Sequence, residues 1–316
     1  MTVEMPGAQG AQLGSNNVQI NNFGPAVPPA PQATQIVAGN VPQAPPAFQP
    51  REDLMAALRA AAPGVSVVRA VTGLRGVGKT QVAAAYAREC IDAGWRLVGW
   101  VNAEETAGVL TGLADVAAGL GIGEPGARLD AIGALVRNRL EADGERCLLV
   151  FDNVTDVGAL RPFVPSAGKA QVVVTSTLAG AARLGKPLPV GVFSAEEALA
   201  FLADRARPDD QDGARELAAE LGYLPLALAQ AAAVIAAQWL TYQVYLERLR
   251  ALPVQDYLLP ADGEPYPRGV AEAILLSMNA VAEADGTGLC TVLISLLSLL
   301  YVSVCGRPSD HRYCSR

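Results

Sequence analysis

Histidine is all but missing from this sequence: the single copy among 316 residues is His311, close to the C-terminus. That excludes a serine–histidine triad, a paired-histidine metal site and a histidine proton relay in the body of the chain. The five cysteines (Cys90, Cys147, Cys290, Cys305 and Cys314) are odd in number and show no CxxC spacing. Neither a zinc knuckle nor a disulfide framework fits them, and a reducing, cytoplasmic compartment is expected. Basic residues are outnumbered: Lys and Arg total 24 against 31 Asp and Glu, a net charge of −7 with a pI near 4.9. A partnership with nucleic acid through a basic surface is therefore not expected, because phosphate neutralisation dominates such binding. A secretory signal is missing as well, since Met1 to Gly10 is polar and carries Glu4. Charged residues make up only 17% and apolar ones 51%, enough for a sizeable core.

Charge-free runs raise the question of a membrane. Gly286 to Gly306 holds no charge, and its apolar centre, Leu289–Cys305, is followed by Arg307 and Arg312. That centre lies at the short edge of what crosses a bilayer, and Ser295, Ser298 and Ser303 interrupt it. A buried helix is the preferred reading and a membrane anchor the alternative. A second such run, Leu221 to Leu246, contains Pro225 and reads as core helix.

The first 50 residues contain nine of the 22 prolines, many Gln and Asn, and Glu4 as the one charge. Residues 1–47 are expected to be a disordered Gln/Asn/Pro-rich region, extended from about Pro25 to Pro50. Within it, residues 9–23 alternate short apolar and amide side chains around glycine. Such a segment suits stacked β-structure with amide ladders, or is a plain disordered tail.

From Arg51 the pattern changes. Glu52–Ala62 is amphipathic helix, and Val65–Thr72 is a β-branched run leading into a glycine-rich turn and a further helix. Strands are expected at Trp95–Val101, Cys147–Phe151, Gln171–Thr175 and Leu188–Val192, with helices at 104–120 and 128–143 between them. Strands alternating with helices imply an α/β fold with a parallel, doubly wound sheet over 48–193. From Ser194 the pattern is helical at 195–206, 211–221, 225–240 and 242–251, an α-helical module spanning 194–260.

The strongest signal is Gly73-Leu-Arg-Gly-Val-Gly-Lys-Thr80, a GxxxxGK[ST] phosphate-binding loop between a buried strand and a helix. Gly73, Gly76 and Gly78 let the backbone curl with its N–H groups turned inward around a phosphate. The helix opening at Lys79 adds the positive end of its dipole. Lys79 neutralises the β- and γ-phosphates, and the Thr80 hydroxyl ligates Mg²⁺. Val77 and Gln81 complete the cradle. Such a loop needs a metal carboxylate at the end of a nearby strand, and Cys147-Leu-Leu-Val-Phe-Asp152 supplies Asp152. Lys79 and Asp152 are the catalytic candidates; Thr80 and Asp152 are the metal candidates. The next residue is Asn153, which orients a water but cannot accept its proton, so the obvious general base is lacking. Asp156 is a stand-in. Thr175-Ser176-Thr177 ends the following strand, where its hydroxyls either report phosphate occupancy or cap a helix.

These residues resemble the NB-ARC-type ATPases of the STAND class, found in immune receptors and many bacterial signalling proteins. Five landmarks fall in order: Phe48-Gln-Pro-Arg-Glu-Asp-Leu54, the phosphate loop, Trp100-Val-Asn102, Phe151-Asp-Asn-Val154 and Gly222-Tyr-Leu-Pro-Leu-Ala227. The resemblance covers about 48–300 and implies a P-loop NTPase fold binding ATP or ADP with Mg²⁺. It also implies that Arg51 contacts nucleotide and Pro225 packs on adenine. Two departures stand out. Thr177 replaces the arginine expected to sense the γ-phosphate, and 261–316 resembles the truncated start of a winged-helix domain with an atypical tail. A second resemblance, of Ala11–Asn21 to amyloid-signalling motifs such as the RIP homotypic interaction motif, implies an effector protein as partner.

The leading functional expectation is a nucleotide-controlled signalling switch with slow or absent hydrolysis, homo-oligomeric when ATP-bound. A turnover P-loop ATPase or kinase needs a basic lid or a catalytic carboxylate, and neither is evident in the sequence. An amyloid-forming scaffold is the third reading.

Overall fold

A computed structural model describes residues 35–60, 67–72, 76–123, 127–206 and 210–251, with Asp285, Thr287, Leu289, Val292 and Leu293; for 67–72 it describes the backbone. The motif at 9–23, Gly73 and most of 261–316 lie outside the described residues, as do nearly all of 289–305. No helix among the described residues is long and apolar enough to cross a membrane.

The described chain is an α/β P-loop NTPase fold followed by a helical module. Its elements are β1 (Ile36–Ala38), α1 (Glu52–Arg59), β2 (Val67–Thr72), α2 (Lys79–Asp92), β3 (Leu97–Asn102), α3 (Thr106–Gly119), α4 (Leu129–Asp143), β4 (Cys147–Asp152), the single-turn α5 (Val157–Leu160), β5 (Gln171–Ser176) and β6 (Lys186–Pro189). Helices α6 (Ala195–Ala206), α7 (Gln211–Glu220), α8 (Pro225–Gln238) and α9 (Tyr242–Ala251) make up the module. The strands form one parallel sheet in the order β1-β3-β4-β5-β2-β6. Strand β5 therefore separates the strand before the phosphate loop from the strand ending in Asp152.

The central strands read as continuous apolar runs because both faces of the sheet are covered. Along β4, Leu148 and Val150 face the core shared with α2 and the module, with Val82, Tyr86, Leu202, Leu217 and Leu228. Cys147, Leu149 and Phe151 face the opposite core with Leu113, Val116, Val136 and Leu140. The period of two thus sorts neighbouring residues into two separate cores.

One expectation is overturned at the N-terminal side. Ile36–Ala38, placed in the disordered stretch, forms the edge strand β1, pairing Ile36 with Leu97 and Ala38 with Gly99. The compact unit begins at Gln35. Between Pro31 and Pro42 the chain is free of proline, and Ile36-Val37 is β-branched, so an edge strand costs nothing there. Gly39 (φ 83°) then passes so close to β3 that a Cβ would lie 2.0 Å from the Trp100 carbonyl oxygen. Beyond the turn, the Arg88 guanidinium donates to the Pro42 carbonyl and stacks 5.9 Å from the centre of the Phe48 ring. The segment from Pro42 to Phe48 is thus docked on α2.

Local chemistry sets the start of three of the module helices. Ser194 and Glu197 make a capping box: the Ser194 N–H donates to Glu197 Oε2 (2.7 Å) and the Glu197 N–H to Ser194 Oγ (3.1 Å). Asp210 caps α7 by accepting the Gly213 N–H at 2.9 Å. Pro225 opens α8 at a position where its missing N–H loses nothing. The sixth strand falls at Lys186–Pro189, earlier than expected from the apolar pattern, because Arg69 to Thr72 of β2 pair with this segment.

Candidate functional site

A cavity of about 570 Å³ lies beyond the C-terminal ends of β3, β4 and β5, between the phosphate loop and the module. Gly76, Val77, Gly78, Lys79, Thr80 and Gln81 form one wall. Gly78 caps α2 with φ at 94°, a left-handed conformation that favours glycine. Gly76 has φ 80°, and a Cβ there would lie 2.9 Å from Leu226 Cβ. The Gly76 carbonyl accepts the Leu226 N–H at 3.1 Å. A donor at the start of α8 is thus satisfied by the phosphate loop rather than by a capping side chain.

At the loop's far side the Thr80 hydroxyl donates to Asp152 Oδ1 at 2.9 Å. The same oxygen accepts the Thr175 hydroxyl at 2.5 Å, while Thr175 Oγ1 accepts the Asn153 N–H at 2.8 Å. Thr175 is buried, so this small network fixes the carboxylate against α2. A hydroxyl and a carboxylate converging beside a phosphate loop are hard oxygen donors of the kind Mg²⁺ takes when phosphates complete its shell. The described residues contain no cluster of three or more His, Cys, Asp or Glu side chains able to cage a metal unaided. The donor set therefore fits a metal that arrives with phosphate. Thr80 and Asp152 would hold it, and it would supply charge neutralisation.

The strand-end hydroxyls divide their roles. Thr175 positions Asp152; the buried Ser176 donates to the Val154 carbonyl (2.7 Å) and accepts the Leu178 N–H (3.0 Å); Thr177 lines the cavity. Asp156 is not at the site. Its carboxylate caps α5 by accepting the Ala159 N–H at 3.0 Å, a local bond available wherever Asp precedes a helical turn.

Apolar side chains make up much of the rest of the lining: Pro45, Pro46, Ala47 and Phe48, with Phe193, Phe201, Pro225 and Ala229 of the module and its connector. Pro225, at the first turn of α8, is part of this lining. Arg51 borders the cavity too, but its guanidinium donates to the carbonyls of Gly191 (2.8 Å) and Val192 (3.2 Å) and lies 3.6 Å from Glu197. Its visible work is tying α1 to the segment that leads into α6. Gln81 borders the cavity with a buried Oε1 that has no hydrogen-bond partner among the described residues.

Two charged residues that sequence reasoning passed over also line the cavity: Glu104 beyond β3 and Arg205 near the end of α6. The second sits one turn after Phe201, so the helical period carried a signal; the first follows Trp100-Val-Asn102, a landmark that ended two residues too soon.

No protein-family model matches the chain. A 230-residue stretch is 32% identical to the regulatory protein AfsR of Streptomyces griseus, covering 68% of this chain and 23% of that protein. The chain thus spans about a quarter of the length of this curated relative. Among solved structures, similar ones include the ORC2 protein of Aeropyrum pernix in ADPNP–ADP complexes, with TM-score 0.46 and 15% identity over 69% of this chain and 73% of that one. Another is a STAND protein with a tetratricopeptide repeat sensor from Pyrococcus horikoshii, with TM-score 0.41 and 17% identity over 71% and 34% of the two chains.

Proposed function

We propose that this chain is an ATP- and ADP-binding, Mg²⁺-dependent signalling switch of the STAND class in which the helical module reads the nucleotide. The observation that carries the reading is the shared cavity. The phosphate loop and module line it together, and the Leu226 N–H to Gly76 carbonyl bond joins them directly. Lys79, with the N–H groups of Gly76 to Thr80, takes the polyphosphate; Thr80 and Asp152 take Mg²⁺. The apolar lining, with Phe48, Phe193 and Pro225, takes the base, and Arg51 holds the 191–192 backbone. Sequence similarity to a regulatory protein supports a regulatory role over a metabolic one.

A ligand contacting both parts shifts the module only by its differential affinity for two arrangements. ATP differs from ADP at the end where Asn153, Thr155 and Thr177 lie, so that end discriminates the two states. Oligomerisation in the ATP state, and effector contact through residues 9–23, belong to the same reading. The test is Lys79→Ala. Removing one side of a desolvated charge pair typically costs about 2–5 kcal/mol, so ATP and ADP binding should weaken by well over tenfold while the fold persists. Unchanged affinity in a folded variant would remove the loop from the site.

A further inference from the structure

Resting on the reading of this cavity as a nucleoside triphosphate site, we propose that Glu104 is the general base for hydrolysis of the terminal phosphate. It is delivered from the strand beside Asp152. The position after Asp152 is Asn153, which has no proton affinity to offer, and Asp156 is spent as a helix cap. Among the described residues lining the cavity, Glu104 is the one carboxylate.

Its placement follows from the strand register. Asn102 of β3 sits opposite Asp152 of β4. Past that pair the Ala103 N–H donates to the Asp152 carbonyl at 2.7 Å, the Glu104 N–H to Asn102 Oδ1 at 3.1 Å, and the Thr155 hydroxyl to the Glu104 carbonyl at 2.6 Å. Two of these bonds, from Ala103 to Asp152 and from Thr155 to Glu104, tie the segment after β3 to the end of β4, and the third holds the Glu104 N–H against its own strand end. No hydrogen bond or ion pair occupies its side chain among the described residues, and the residue is exposed toward the cavity. Glu104 thus lies two residues past Asn102, the register partner of Asp152, at the end of the strand next to the one that carries that carboxylate. Asn153 and Thr155, on the loop that leaves β4, border the same cavity. Asn153 holds φ at 63°, an unusual value for a residue other than glycine, and its N–H is fixed by Thr175. Asn153 thus orients the water and Glu104 deprotonates it.

In the step itself, the water oxygen bonds to the γ-phosphorus as the bond from that phosphorus to the β–γ bridging oxygen breaks. The bridging oxygen keeps the electron pair and leaves on the diphosphate. Glu104 takes one water proton and returns it to the departing phosphate or to solvent. No other reactant is needed.

The test uses the full chain with Glu104→Gln beside wild type. Mant-ATP fluorescence with Mg²⁺ reads binding, single-turnover hydrolysis reads chemistry, and nucleotide extracted from the protein after incubation with ATP reads which species is retained. Glu104→Gln should bind mant-ATP within twofold of wild type, hydrolyse about 100-fold or more slowly, and retain ATP where wild type retains ADP. Wild-type hydrolysis in a variant of normal affinity would overturn the proposal, as would a wild-type protein that binds ATP and never converts it. Failure of wild type to bind mant-ATP at all would instead bring down the nucleotide reading beneath it.

Discussion

Replacing Thr175 by valine removes one oxygen atom and almost no volume, which isolates the network around Asp152. Two hydrogen bonds go: the hydroxyl to Asp152 Oδ1 at 2.5 Å and the Asn153 N–H to the hydroxyl at 2.8 Å. A bond to an ionised group is worth about 1.5–3 kcal/mol and a neutral one about 1, with a further penalty for any donor left dry. Asp152 is half-buried and Asn153 exposed, so water recovers part of the loss. The expected destabilisation is about 2 kcal/mol, or roughly 30-fold in the folding equilibrium. Urea unfolding followed by tryptophan fluorescence measures it, and Thr175→Ser, which keeps the hydroxyl, should recover most of the loss. A second readout is specific to the site: with its carboxylate no longer held, Thr175→Val should bind nucleotide more weakly in Mg²⁺ than in EDTA, each compared with wild type. Stability within about 0.5 kcal/mol of wild type, combined with unchanged Mg²⁺-dependent affinity, would refute the positioning role.

Asp152→Ala should weaken nucleotide binding in Mg²⁺ and much less in EDTA, read by fluorescent-nucleotide titration; an equal loss in both would assign Asp152 a structural role. With Thr177 where an arginine finger is expected, a contribution of about 10³–10⁵ is missing, which puts turnover below about one per minute against ~10 s⁻¹ for ordinary enzymes. Phosphate release by wild type measures this, and Asn153→Asp should raise the rate by adding a second carboxylate beside the water. Burial pushes the Cys90 thiol up to about 12 and raises Cys147 as well. Both should resist iodoacetamide at pH 8 in the native protein and react in urea, as read by peptide mass spectrometry. Because the folded values lie above the ordinary 9.0, the protein binds these protons more tightly when folded, and its stability should fall as pH rises from about 9.

The sequence was most legible where one physical rule acts alone. Buried parallel strands announce themselves as unbroken apolar runs, and Cys147–Asp152 was found to within one residue of its observed end. The capping box at Ser194 and Glu197 marks a helix start that the apolar pattern had already placed at 195. Legibility failed where distant segments meet. Nothing periodic in Pro42–Gln49 shows that it packs on α2, because that docking depends on Arg88, some forty residues later. Glu104 is equally silent: its relevance comes from the register of β3 against β4 and from Thr155, neither of which leaves a local trace. Asp156 misled for the converse reason. Its spacing from Asp152 suits chemistry, but a nearby helical turn claimed its carboxylate first.

The contact between Gly76 and Leu226 means that two properties usually dissected separately are written on one residue here. A side chain at position 76 meets Leu226 Cβ at 2.9 Å before it meets any ligand, and the carbonyl of that residue is the acceptor for the start of α8. Loosening the loop frees the helix, and displacing the helix leaves the loop short of a partner. A variant at this position cannot be sorted into a binding class or a communication class. On the proposed switch reading, its affinity defect and its coupling defect are two measurements of the same broken joint.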